Sequence, residues 1–139
     1  MKYLYSIPGM AGAEYEEATY HGDWKAGKRE GKGEMTWMDG ARFKGCWRND
    51  MRAEGEMRMT NGNIYVGSFQ NDKFHGQARL LLNTGLIFDG GFNQGVCDPV
   101  GRLLYPNSDI YYGQHKGFVR EGQGKLVEIS ANIYEGAWE

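Results

Sequence analysis

Six times along the chain an aromatic residue is followed two positions later by glycine, and the six aromatics, Tyr20, Phe43, Tyr65, Phe88, Tyr111 and Tyr134, stand 23, 22, 23, 23 and 23 residues apart. The glycines are Gly22, Gly45, Gly67, Gly90, Gly113 and Gly136, and two positions beyond them come Trp24, Trp47, Phe69, Phe92, His115 and Trp138. A period in the twenties marks one supersecondary unit used repeatedly, and a unit that short cannot bury an apolar face alone. The core of such a chain has to form between neighbouring units.

Side chains alternate across a strand, so aromatic, glycine and aromatic at positions 1, 3 and 5 share one face of a strand such as Tyr20 to Trp24. A polar, glycine-rich turn over Lys25 to Gly31 follows. A second strand then carries Met35 and Trp37, with Met57 and Met59, Leu80 and Leu82, and Leu103 and Tyr105 in later units. In the fifth unit Leu126 keeps the pattern and Glu128 breaks it. Asp39-Gly40 and Asn61-Gly62, at the ends of second strands, predict tight two-residue hairpin turns; Thr84-Gly85, Asn107-Ser108 and Ser130-Ala131 are weaker versions. Each unit therefore reads as a β-hairpin, and successive hairpins must pair edge to edge. The predicted fold is all-β: an elongated, twisted antiparallel ribbon advancing roughly 10 Å per unit and about 50 Å in all. The glycine between two rings is required for space, because a side chain there would strike its neighbours in a curled sheet.

Composition is that of one domain, and 16 basic against 18 acidic residues, evenly mixed, create no global attraction to nucleic acid. No run approaches the roughly 20 apolar residues of a membrane-spanning helix. Cys46 and Cys97 fall at different phases of the repeat and lack the paired spacing of a zinc or redox motif, which reads as two free thiols in a reducing compartment. Gly22 to Lys28 imitates the start of a phosphate-binding loop, but Arg29 stands where its hydroxyl residue belongs and the repeat accounts for both glycines. His21, His75 and His115 lie at three phases, so the repeat generates no metal cluster. No serine has a nucleophile-elbow context. These readings predict no enzyme, no metal and no cofactor.

The segments YHGDWKAGKREGKGEMTWMDG at 20–40, YVGSFQNDKFHGQARLLLNTG at 65–85 and YYGQHKGFVREGQG at 111–124 resemble MORN repeats, whose pattern is Tyr-x-Gly-x-Trp, a short turn, then Gly-x-Gly. The resemblance covers residues 20–139, with units starting at 20, 43, 65, 88 and 111 and a half unit at 134. Unit two lacks one residue in the turn before Gly55, Ala78 replaces the second glycine of unit three, Pro99 the first of unit four, and Phe118 the turn glycine of unit five. The half unit is either a cap or a point of truncation. Residues 1–19 read as an N-terminal arm or capping strand, with Tyr3, Tyr5 and Ile7 alternating, or as a partner-binding arm.

A binding role remains. One reading is a groove lined by Trp24, Trp37, Trp47, Tyr65, Phe69, Phe88 and Phe92 that receives a segment of another protein, since aromatic anchors dominate interface energetics. The resemblance implies an assembly scaffold of this kind in a cytoskeletal structure such as a ciliary axoneme, within the cytoplasm. A second reading is a membrane adaptor in which Lys25, Lys28, Arg29 and Lys32 meet anionic headgroups at about 1 kcal/mol per cation. A third is self-association into a homodimer.

Overall fold

The computed structural model describes residues 2–5, 16–129 and 133–138. All the regular elements among them are strands, β1 (Lys2–Tyr5), β2 (Glu16–Lys25), β3 (Lys28–Trp37), β4 (Arg42–Arg48), β5 (Met51–Arg58) and β6 (Ile64–Gln70). The second half holds β7 (Lys73–Leu81), β8 (Ile87–Asn93), β9 (Val96–Leu104), β10 (Ile110–Lys116), β11 (Val119–Val127) and β12 (Ile133–Trp138). They form one open antiparallel sheet whose spatial order is the chain order. Such a sheet of successive hairpins is the ribbon that the 23-residue period predicts. The backbone of β1 lies along β2, Lys2 opposite Thr19; Ile7 and the half-unit turn at Ser130-Ala131 fall outside the described residues.

Two classes of turn alternate, and their assignment corrects the sequence reading. The two-residue hairpin turns lie inside the units, at Ala26-Gly27, Asn49-Asp50, Asn71-Asp72, Gln94-Gly95 and Gly117-Phe118, where both residues of each pair have positive φ. Between units the loop is longer. The Gly40 N–H donates to the Trp37 carbonyl at 3.0 Å, the Trp37 N–H to the Ala41 carbonyl at 2.9 Å, and Gly40 takes φ 96°. Asp39 decides this geometry, because its Oδ1 accepts from the Ala41 N–H at 3.0 Å, a local bond that favours the longer loop. Asn61 and Asn107 repeat the device. The residue missing from unit two is likewise lost after the turn, within β5, where Asp50 and Gly55 are one position closer than Gly27 and Gly33.

Within each hairpin the register slips at the same phase, between Gly22 and Trp24 and again between Gly67 and Phe69, whereas pairings between units are regular. A bulge bends its strand, so the ribbon is bent once per unit at a constant place. At that level glycines face one another straight across the sheet, from Gly22 through Gly33, Gly45 and Gly55 to Gly136, with Ala78 the one exception. The row is a trough, and the position-1 rings lie down in it. A Cβ at Gly22 would sit 2.6 Å from the Tyr20 hydroxyl, and one at Gly101 2.5 Å from the Phe88 ring. Tyr20, Phe43, Tyr65, Phe88 and Tyr111 are thereby almost completely buried. One sheet makes a core without a second layer because its aromatic residues fill a floor with no side chains.

Candidate functional site

The ring face is a zipper. Tyr20 meets Trp24 of its own unit at 5.0 Å and Trp47 of the next at 5.4 Å, both edge-on. Phe43 does the same with Trp47 and Phe69, each at 5.3 Å, and Tyr65 with Phe69 and Phe92 at 5.2 and 5.4 Å. Trp47, Phe69 and Phe92 thus each join two units, with edge-to-face pairs contributing about 0.5–1.5 kcal/mol beyond area burial. The proposed groove residues Trp37, Trp47, Tyr65, Phe69, Phe88 and Phe92 are all 8% exposed or less, and only Trp24 of the seven offers substantial area, at 41%. These six rings hold the units together; the spacing that reveals them cannot tell a lining from a filling.

Over the zipper lies a second repeated position that sequence reasoning missed. Nine residues after each position-1 aromatic stand Arg29, Arg52, Phe74, Cys97 and Arg120. Each caps the position-5 ring of the following unit: Arg29 over Trp47 at 4.5 Å, Arg52 over Phe69 at 4.8 Å, Arg120 over Trp138 at 4.8 Å. Phe74 lies 5.7 Å from Phe92, and the Cys97 thiol 3.7 Å from His115 Nε2. The partner of the wedge is the second turn residue of the next unit. Arg29 Nε donates to Asp50 Oδ1 and Arg52 Nε to Asp72 Oδ1, each at 2.6 Å, and a second guanidinium nitrogen reaches the same aspartate's carbonyl. Where the wedge is Phe74 the turn residue is Gly95, and where it is Cys97 it is Phe118. Arginine occurs with aspartate and an uncharged wedge with an uncharged turn residue, a phased correlation that was available in the sequence.

The Arg52–Asp72 pair is deeply buried, with side chains 3% and 5% exposed. It forms part of the wall of a cleft of about 570 Å³ on the ring side, lined also by Ala41, Met57, Met59 and Phe74 and rimmed by Asp39, Asn61 and Gln94. The volume lies in the range of sites that take a drug-sized molecule or a few side chains.

The predicted basic cluster is divided between the two faces of the sheet. Arg29 is drawn under Trp47 and paired, and Lys28 Nζ donates to Asn49 Oδ1 at 3.0 Å beside the turn. Lys32 pairs with Cys46 across the strands on the face away from the rings. Strand alternation, which a linear count of charges ignores, separates Arg29 from the lysines, while Lys25 stays directly opposite Lys28 across β2 and β3.

Cys97 and His115 are close but not activated. Burial, and then the nearby Asp98 charge, push the Cys97 thiol up to about 11, away from the thiolate that a nucleophile requires. His115 Nε2 lies 2.8 Å from the Asp98 carbonyl, which can only accept, so in the neutral ring Nε2 carries the proton and Nδ1 is left buried without a hydrogen-bond partner. Burial lowers the His115 pKa, against a smaller upward effect of the Asp98 bond. A folded-state histidine pKa below its unfolded value means that stability is complete above about pH 6.5 and is lost as pH falls toward the lowered value. His115→Phe, which gives unit five the aromatic of its neighbours, is expected to flatten the decline in urea midpoint between about pH 7.5 and 5.5. An unchanged slope would mean that other groups carry it. Tyr65, by contrast, is pushed up to about 12 by burial and stays neutral, its hydroxyl donating to the Ser68 carbonyl at 2.7 Å.

The opposite face is open and divided. In the N-terminal half it is a charged grid in which Arg42 pairs with Glu34 and Arg58 with Glu56. From β6 onward the position before each aromatic becomes aliphatic. Ile64, Leu81, Ile87, Leu104, Ile110, Val127 and Ile133 are direct cross-strand neighbours in one continuous ladder. Val66, Val100 and Tyr112 widen it, all substantially exposed.

The family model of the MORN repeat matches residues 20–42, 43–64 and 65–86, boundaries that coincide with three of the hairpin units. The chain is a MORN-repeat protein. Beyond the matched residues the MORN geometry continues: Phe88 contacts Phe92 and His115, and Tyr111 contacts Trp138, in the same zipper. Alsin of Mus musculus and alsin of Homo sapiens are each 33% identical to this MORN protein over 87 residues, which is 58% of this chain and 5% of theirs. The similarity is distant and falls on the MORN region of alsin. This chain spans a small fraction of those relatives. MORN repeats are non-catalytic binding modules.

Proposed function

We propose that this MORN protein is a non-catalytic scaffold that holds a segment of another protein in the cleft on its ring face. The observation that carries the reading is the cleft wall, in which half-buried Met59 and Phe74 and the satisfied Arg52–Asp72 pair present a preformed surface with apolar and polar sections. Methionine-lined surfaces adapt to varied apolar side chains, while the polar rim sets orientation. A cytoskeletal or ciliary assembly in the cytoplasm is the setting we propose for it, on the MORN resemblance alone. Arg29 lies on the ring face, and Glu30 and Glu34 alternate with Lys28 and Lys32 on the other, which favours the protein scaffold over a membrane adaptor.

Reconstitution with solubilised axonemal proteins is the test. The wild-type chain is expected to recover a stoichiometric protein complex through moderate-salt washes, and Met59→Glu, on the cleft wall, to lower recovery at least tenfold while leaving the circular-dichroism melt in place. Salt-sensitive binding to anionic vesicles without any stable protein complex would overturn the scaffold in favour of the membrane.

A further inference from the structure

The aliphatic ladder on the open face is flanked by a row of side chains one position beyond each aromatic. Across β7 to β12 that row reads Arg79, Asp89, Arg102, Tyr112, Lys125, Glu135, each opposite the next. Read backwards, the row complements itself. A two-fold axis parallel to the strands and passing between β9 and β10 sets Arg79 against Glu135 of a second copy, Asp89 against Lys125, and Arg102 against the Tyr112 ring. Every contact occurs twice. The same axis places Leu104 on Ile110, Ile87 on Val127 and Leu81 on Ile133, aliphatic on aliphatic throughout. We propose that the C-terminal half of the open face, from β7 to β12, is the dimerisation surface of this chain, closed by a second copy packed face to face.

Aligned sheets pack about 10 Å apart with strand directions within about 30°, a spacing that interdigitating Leu, Ile and Val side chains fill. The ladder runs about 30 Å across seven strands, and with its flanking row the two copies would bury about 1,000 Å² together, at the low end for a specific association. The dimer is therefore expected to dissociate in the micromolar range. Apolar contact supplies most of the attraction, since surface ion pairs contribute little. The charges choose the register, because a shift by one strand sets Asp89 against Arg102 but Glu56 against Glu135. Within one chain Arg79 already bridges Asp89 at 3.4 Å and Lys125 bridges Glu135 at 3.5 Å, and each carboxylate has lone pairs left for a second cation. The charged grid of β3 to β5 limits the overlap, so the two N-terminal halves extend in opposite directions. Because the ring-face cleft lies on the other side of the sheet, both copies keep it open.

Sedimentation velocity over a concentration series, with the full chain, tests the pairing. The wild-type protein is expected to shift from 15.7 kDa toward twice that mass, and Ile110→Asp to weaken the association at least tenfold. Asp89→Lys and Lys125→Asp are each expected to be monomeric where the wild type dimerises, because each homodimer then holds two like-charge contacts. Mixed in equal amounts, these two variants regain both opposite-charge contacts and should recover the dimer. Rescue by mixing cannot come from a folding defect, which each chain would carry into the mixture. A wild-type chain that stays monomeric to about 200 μM would overturn the proposal and assign the ladder to another protein; so would a dimer that survives Ile110→Asp, or variants that stay monomeric when mixed.

Discussion

Gly45→Val is expected to leave the chain largely unfolded at room temperature. A Cβ at Gly45 would fall 2.6 Å from the Gly55 Cα and 2.9 Å from the Phe43 ring, and it would overlap the Glu54 carbonyl. Two of these neighbours are backbone atoms of the paired strand, which cannot turn aside as a side chain can. Relief requires either parting β4 from β5 or lifting Phe43 out of the trough, which exposes a ring now fully buried and in contact with Trp47 and Phe69. Overpacking alone costs typically 1–3 kcal/mol, and loss of a buried phenylalanine about 3–5 kcal/mol. Against a total stability of roughly 5–15 kcal/mol, the combination removes most or all of it. Urea titration followed by tryptophan fluorescence checks this, with Gly40→Val as the control. A Cβ at Gly40 meets nothing within 4 Å, so only its positive φ is penalised. A Gly45→Val protein with a wild-type midpoint would disprove the account of the trough.

The second large effect belongs to the buried ion pair. Arg52→Ala strands the Asp72 carboxylate, and Asp72→Ala strands the guanidinium between Trp37, Phe43 and Phe69. Either change is expected to cost about 3–5 kcal/mol, the usual penalty for a buried charge left without its partner. The chain itself supplies the rescue. Units three and four pair an uncharged wedge with an uncharged turn residue, and Phe74 beside Gly95 keeps the same backbone bond, Gly95 N–H to the Phe74 carbonyl at 2.8 Å, that Asp50 makes to Arg29 at 3.0 Å. Arg52→Phe combined with Asp72→Gly is therefore expected to recover most of the loss, because replacing both members of a buried pair by well-packed neutral groups is often nearly neutral. Chemical denaturation of the two single variants and the double closes the cycle. A double variant as unstable as Asp72→Ala would mean that the charge pair has a role the other units do not need.

The two predictions separate what a linear reading reaches from what it does not. Gly45 was marked by its place between Phe43 and Trp47, because a period-two pattern states which side chains share a face. Arg52 was invisible to the same reasoning, since a single arginine in a charged stretch looks solvated until the turn of the next unit is seen to lie over it. Arg29 was misread as part of a basic patch for the same reason: Lys28 and Arg29 are adjacent in the chain but lie on opposite faces of β3. The hairpin turns show a subtler failure. Asp39-Gly40 has the composition of a tight turn, yet the Asp39 carboxylate bonds the Ala41 N–H and sets a longer loop, whereas Asn49-Asp50, with no glycine at all, adopts the two-residue form.

By itself the sequence determined the unit and its repetition, and with them the all-β ribbon, the strand order and the aromatic face, because each follows from periods of 2 and 23 and from the inability of one hairpin to bury its own rings. Only the tertiary structure decided what the rings do. A glycine row deep enough to receive them exists only when the registers of all the strands place those glycines in one line, so Trp47 and Phe69 became fasteners between units instead of a groove. It also decided where the open surface lies. The aliphatic ladder from Ile64 to Ile133 joins residues scattered over half the chain, and nothing short of the strand pairing makes them neighbours.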